Sequence, residues 1–203
     1  MWRFIGIGMD CLSSMLLLAP VMLLLVKIQG RKIRSLHTCA LLLYICAMAG
    51  IYSVTGMPTL YYFRFELSLN LIPIVDLFSS PLQYLLNILM FLPVGFFLPI
   101  LWERYGSLKK VLGFGCFLTL FIEIAQVFTF RTTDIDDLLT NLLGTCLGYL
   151  LIRQLGRLCH VTLPLTKEEE EERGGQCFYL LALMLQQFLL QPYWSAFFWD
   201  TLL

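Results

Sequence analysis

Seven polar residues crowd into a short stretch of an otherwise apolar chain: Glu123, Gln126, Arg131, Asp134, Asp136, Asp137 and Asn141. Carboxylates at this density support three kinds of chemistry. Glu123 and Asp137 are the candidate catalytic groups, working as general acid or base. Asp134, Asp136 and Asp137 offer the oxygen ligands that a hard divalent cation takes, or the acceptors that orient a substrate. The whole set, joined by Asn87, can also bind the polar part of a ligand and break no bond. No serine or histidine belongs to it, so acyl transfer through a Ser/His pair is disfavoured, leaving carboxylate-based or metal-assisted hydrolysis or transfer. His37 and His160 are far apart and no C-x-x-C occurs, so zinc and haem are not expected, and no cofactor is implied beyond such a cation.

The elements that must position these residues follow from composition. Of 203 residues, 59% are hydrophobic and 14% charged, against about one-quarter charged in a soluble domain. Lipid must be the main solvent. A helix needs about 20 apolar residues to cross a hydrocarbon core, and apolar runs predict six spans, near 4–26, 36–54, 84–102, 111–129, 138–153 and 177–199, the fifth the shortest. The expected fold is an all-α polytopic bundle with a long outer loop. The net charge is zero and no basic patch interleaved with aromatics occurs, so no nucleic-acid partner is expected. Eleven of the fourteen Lys and Arg lie after the first, third and fifth spans. Basic loops stay cytoplasmic, which predicts that both termini, residues 55–83 and residues 130–137 are outside.

In that orientation the polar set gathers at the outer leaflet. Asn87 lies near the outer start of the third helix, and Glu123 about 9 Å below the outer end of the fourth, with Gln126 one turn above it. An unpaired acid at a helix centre costs about 2.5–3.5 kcal/mol, so Glu123 should face the bundle, a wet pocket or a partner. Asp137, Asn141, Gly144 and Gly148 follow i, i+4, i+7, i+11 spacing and share one helical face, the glycines allowing a neighbouring helix to approach. Structural roles compete with binding at each position: Arg131 pairs with Glu123 or an aspartate, Asp134 or Asp136 caps the fifth helix, and Asn141 makes an interhelical hydrogen bond. Asp10, in the first span, either joins this site or makes a private hydrogen bond.

Outside the cluster the readings are simpler. The first run is interrupted by Asp10, lacks an A-x-A site and is followed rather than preceded by basic residues, so it reads as a retained anchor. In YFRFELSLNL, Phe63, Phe65, Leu67 and Leu69 alternate with Arg64, Glu66, Ser68 and Asn70, the period of an extended or interfacial strand. Glu168 to Glu172 reads as a solvated cytoplasmic segment. Trp194, Phe197, Phe198 and Trp199 fit an interfacial aromatic belt, and Cys11, Cys39, Cys46, Cys116 and Cys146 fit apolar packing.

The stretches NILMFLPVGFFLP and FIEIAQVFTFRTTDIDDLLTNLLGTCLGY resemble the VanZ-like family of bacterial membrane proteins. Its pattern joins N-x-x-x-F-x-P-x-G to E-x-x-Q, an Arg, an Asp-rich turn and N-x-x-G-x-x-x-G. Asn87, Phe91, Pro93, Gly95, Pro99, Glu123, Gln126, Arg131, Asp134, Asp136, Asp137, Asn141, Gly144 and Gly148 match it, as does NLIP at 70–73. The resemblance spans about residues 40–152, and divides the chain into an N-terminal anchor and basic loop (1–39), that core (40–152), a charged linker (153–176) and a C-terminal helix (177–203). It implies a site at these residues and, through the member that names the family, a link to teicoplanin susceptibility. Two functions follow. One is binding of an amphiphilic envelope component, namely membrane lipid, a lipid-linked cell-wall precursor or a glycopeptide antibiotic. The other is a carboxylate- or metal-dependent membrane enzyme acting on a lipid-linked substrate. Transport is disfavoured because the ionisable residues crowd one side.

Overall fold

The computed structural model describes residues 5, 6, 8, 9, 12, 13, 16, 20, 35–61, 63–65, 68–70, 72–73, 80–129, 133–159, 181–182, 184–186 and 188–202. Asp10, Glu66, Arg131, His160, the Glu168–Glu172 run and most of the first expected span lie outside the described residues. The chain divides into two compact units, residues 1–63 with 168–203, and residues 64–167.

In the first unit, helix α1 (Ser35–Thr55) is apolar along its length. Tyr44, Ile45, Met48, Ala49 and Tyr52 are buried, while Leu36 and Leu43 are exposed. Gly56, at φ 65°, takes the left-handed conformation that ends the helix. Thr55 Oγ1 caps the last turn by donating to the Ile51 carbonyl at 2.8 Å. The Leu60 N–H then donates to the Phe188 carbonyl at 3.0 Å, and Phe63 meets the Phe188 ring edge-on at 6.4 Å.

The second unit holds β1 (Leu69–Asn70), α2 (Pro81–Leu101), a 3₁₀ turn (Glu103–Tyr105), α3 (Leu108–Gln126), β2 (Thr133–Asp134) and α4 (Ile135–Leu158). Pro81 opens α2 where a missing N–H costs nothing. Its closest neighbour is α4, and three glycines explain why. A Cβ on Gly144 would collide with the Ile88 carbonyl, one on Gly148 with that of Leu92, and one on Gly95 with that of Thr145. Both backbones therefore approach to a distance that excludes side chains between them.

The helices of this unit expose large apolar side chains while burying polar ones beside an apolar core that includes Phe91, Leu98 and Leu118. Leu82, Leu85, Leu86 and Leu89 on α2, Phe117, Leu120 and Ile124 on α3, and Leu139, Leu143 and Leu147 on α4 are exposed. Thr119, Glu123, Gln126, Thr140, Asn141 and Thr145 are buried. Apolar side chains outside and polar ones within suit a hydrocarbon solvent. The protein is an all-α membrane protein.

Among the described residues, three helices are long and apolar enough to cross a membrane: Leu36–Thr55, Pro81–Leu101 and Ile135–Leu158. Six spans are not established, since most of the first expected one lies outside the described residues. Helix α3 has 19 residues, comparable in length, but Lys109, Lys110 and Glu123 make it less apolar. The expected fifth span, read as the shortest, is instead the longest of these helices at 24 residues. The apolar run stops at Arg153, but the i to i−4 ladder continues through Gln154 and Arg157. In the expected sixth span, a turn at Leu190 precedes α5 (Gln191–Leu202), 12 residues long. Pro192 has no N–H to continue an upstream helix.

The alternation from Phe63 to Asn70 corresponds to extended chain at its ends. Arg64 makes a parallel bridge to Thr129, and β1 pairs in parallel with β2, Leu69 opposite Thr133 and Asn70 opposite Asp134. The loop before α2 is thus bonded along the segment that joins α3 to α4.

Candidate functional site

Those backbone pairings set the frame for the polar residues. Helix α4 starts at Ile135 because Asp134, in extended conformation, accepts the Asp136 N–H on Oδ1 at 3.0 Å. Asp136 and Asp137 follow in the first turn. Negative charge here is stabilised by the partial positive charge of the helix N-terminus. Glu123 has the opposite problem, lying in the last turn of α3, where the dipole opposes it. It is buried, and its Oε2 accepts the Asp134 N–H at 3.2 Å. Thr133 Oγ1 donates to the Glu123 carbonyl, also at 3.2 Å.

Each carboxylate of the turn also meets a neutral donor from elsewhere in the unit. Asn70 Nδ2 donates to Asp134 Oδ2 at 3.2 Å. The Tyr84 hydroxyl makes a short hydrogen bond to Asp136 Oδ2. Asn87 Nδ2 donates to Asp137 Oδ1 at 2.6 Å. Tyr84 and Asn87 are one turn apart on α2, so one face of that helix serves two successive acids of α4. Asp136 is 4% exposed, while Asp134 and Asp137 are half-buried.

Asn141 lies one turn below Asp137 and is turned toward α3. Its Nδ2 donates to Thr119 Oγ1 at 2.9 Å. Thr119 is in turn one helical turn before Glu123 on α3. The face expected to hold Asp137, Asn141, Gly144 and Gly148 together is therefore divided. Asp137 and the glycines address α2, and Asn141 addresses α3. Gln126 is buried at the end of α3, where its carbonyl accepts from the Thr129 hydroxyl at 3.1 Å.

Of the expected residues, Glu123, Asp134 and Asp136 are thus linked through one run of hydrogen bonds, and the Asn87–Asp137 bond lies beside it, in the same first turn of α4. Two structural alternatives raised by the sequence are realised: Asp134 caps α4, and Asn141 bonds across helices. Asn70, already named in the NLIP stretch, Tyr84 and Thr133 bond to this set and Thr119 to Asn141; Tyr84, Thr119 and Thr133 were not singled out from sequence. Tyr84 carried one readable signal, its i, i+3 spacing to Asn87, and Thr119 another, its i, i+4 spacing to Glu123. Among the described residues no three His, Cys, Asp or Glu side chains are grouped so as to hold a metal ion.

Charge is sorted along the unit. At the opposite end from the acids, the Tyr149 hydroxyl donates to the Gly106 carbonyl at 3.0 Å. Arg104, Lys109, Lys110, Arg153 and Arg157 lie at that end, as does Glu103. Arg64 lies at the acidic end, its N–H donating to the Phe128 carbonyl at 3.0 Å.

A family model described as VanZ/LLP1 matches residues 36–158. No curated protein and no solved structure gives a match.

Proposed function

The chain belongs to the VanZ/LLP1 family, and from that premise we propose that it is a multi-pass cell-membrane protein whose acidic network is a ligand site at the outer leaflet. The ligand is the polar part of an amphiphilic envelope component, either a membrane lipid or a lipid-linked cell-wall precursor. By binding it the protein lowers susceptibility to a glycopeptide of the teicoplanin type.

One observation carries this reading. Glu123, Asp134, Asp136 and Asp137 stand at one end of the second unit and five of its Lys and Arg at the other. Basic ends stay cytoplasmic, which favours the acidic end facing outward, and with six spans the same rule would put both termini outside. At that end the carboxylates and the amides of Asn70 and Asn87 offer paired acceptors and donors, the equipment for a polar headgroup. The set is held by α2, α3 and α4, elements that also present apolar side chains to the bilayer, so a ligand with a polar head and a hydrocarbon body meets matching surfaces.

The test compares glycopeptide susceptibility, and binding of a labelled glycopeptide to whole cells, in a deletion strain carrying wild type, Glu123→Gln or Asp137→Asn protein at matched membrane levels. The proposal expects wild type to restore the phenotype and both variants to behave like the deletion. Variants as active as wild type would remove the acidic network from the function.

A further inference from the structure

A cavity of about 220 Å³ lies within the first unit, lined by Tyr52 and Met57 at the end of α1 and by Leu181, Met184, Leu185 and Phe188. Backbone bonds hold its walls. The left-handed Gly56 reverses the chain after α1, the Met57 N–H donates to the Tyr52 carbonyl at 3.4 Å, and the Leu60 N–H reaches the Phe188 carbonyl at 3.0 Å. The space exceeds the roughly 150 Å³ of an apolar cavity that stays dry and takes up a small hydrocarbon. Water, which needs two to four polar partners to be held, finds too few on such walls. Leu181 is 55% and Leu185 51% exposed, so the cavity communicates with the surroundings, which in a membrane protein include lipid.

Tyr52 adds a second, independent observation. It is 1% exposed, and its hydroxyl has no hydrogen-bond partner among the described residues. Buried polar groups are as a rule satisfied. Of the named lining side chains, Tyr52 alone carries an oxygen or nitrogen. An occupant that matches this lining is a hydrocarbon chain with a single acceptor. A phosphate or ammonium would meet apolar walls, a rigid fused-ring sterol lacks a chain's freedom to bend into the space, and the thioethers of Met57 and Met184 adapt to an irregular chain.

We propose that this cavity takes the carbonyl-proximal part of the ester- or amide-linked acyl chain of a membrane amphiphile, with the acyl carbonyl oxygen accepting from the Tyr52 hydroxyl. The proposal is independent of the acidic network and concerns the first unit alone.

The test adds a phosphatidylcholine carrying a diazirine in one acyl chain to the full chain in detergent, cross-links it, and maps the labelled peptides. Labelling should concentrate at Met57 and Met184 over the exposed Leu36 and Leu43, and should be displaced by unlabelled dipalmitoyl phosphatidylcholine. Leu185→Trp, which fills the mouth, should lower it about tenfold, the effect of losing two buried methylenes. Leu181→Trp, at another exposed position, carries the same test if the first variant is not monodisperse. Tyr52→Phe keeps the volume and removes only the hydroxyl. It should weaken labelling by the ester probe about fivefold, the worth of one hydrogen bond, and leave labelling by diazirine-bearing hexadecane unchanged. Equal labelling at Leu43 and Met184, or no response to either tryptophan, overturns the site. Equal response of both probes to Tyr52→Phe overturns the carbonyl contact.

Discussion

Asn87 donates from its side-chain amide to Asp137 at 2.6 Å, and the next residue of α2, Ile88, is the one whose carbonyl lies against Gly144. A polar clamp and a close backbone approach therefore lie on the same α2–α4 seam. Asn87→Ala removes a donor to a carboxylate and should lower stability by about 1–2 kcal/mol. Asn87→Asp sets a second carboxylate against the first and should cost more. Thermal unfolding of the purified protein in detergent, with both variants alongside wild type, checks the order.

The glycines on that seam make a sharper prediction. At Gly144 and Gly148 an added methyl group meets a carbonyl oxygen of α2, which cannot move without the helix. Gly144→Ala and Gly148→Ala should each destabilise by at least ~1–3 kcal/mol, the range for overpacking. Gly113, on α3, has nothing within 4 Å of its missing Cβ. Gly113→Ala should be neutral or stabilising by up to ~1 kcal/mol through helix propensity alone. The same melting measurement separates the two kinds of glycine.

Asp134 joins three elements, accepting from Asp136 N–H and Asn70 Nδ2 and presenting its own N–H to Glu123. Asp134→Ala loses the cap of α4 and should cost about 1 kcal/mol, up to ~2 with the Asn70 bond. Asp134→Asn keeps an acceptor oxygen for the cap and should retain most of the stability. Hydrogen exchange of the Asp136 and Asp137 amides should rise in the alanine variant and much less in the asparagine one.

The Thr119–Asn141 bond is buried on both sides, Thr119 at 0% and Asn141 at 2% exposure. Asn141 Oδ1 has no hydrogen-bond partner among the described residues, so the amide depends on Thr119. Thr119→Val should cost ~1–3 kcal/mol by leaving a buried amide unsatisfied. The double variant Thr119→Val with Asn141→Leu removes both polar groups and should recover part of the loss. A double-mutant cycle with no recovery would mean that the pair contributes nothing through this bond.

How much of this could be read in the chain depends on how local each signal is. The G-x-x-x-G of Gly144 and Gly148 and the aspartates before them repeat at helical spacing within one element, so their common side was legible. The division of that side, with Asn141 facing α3, was not, because the angle between neighbouring residues of a helix decides it and the neighbours are set by packing. Tyr84, whose partner is 52 positions away, and Thr119, 22 positions from Asn141, look like ordinary interfacial and helical residues until the helices meet. The spans were read from apolar runs alone. Hydrogen bonding extends α4 past Arg153, beyond the apolar run, while a turn at Leu190 and Pro192 in its first turn set off the short α5, so length in sequence and length in helix disagreed at both.

Glu123 offers the cleanest separation of fold from function. Its side chain is 5% exposed and accepts the Asp134 N–H at 3.2 Å, so it secures the turn between α3 and α4 and also contributes charge to the network. Glu123→Gln keeps an oxygen for that N–H and removes the charge. It should melt within ~1 kcal/mol of wild type yet abolish the glycopeptide phenotype. Glu123→Ala removes both and should lose ~1–3 kcal/mol, the penalty for a buried N–H left without its acceptor, together with function. If Gln melts like wild type and also functions like it, the carboxylate serves the turn and not a ligand. If Gln instead melts as low as Ala, the charge itself is structural, and the loss of phenotype must then be assigned through Asp137→Asn, whose side chain bonds Asn87 of α2 and not Glu123.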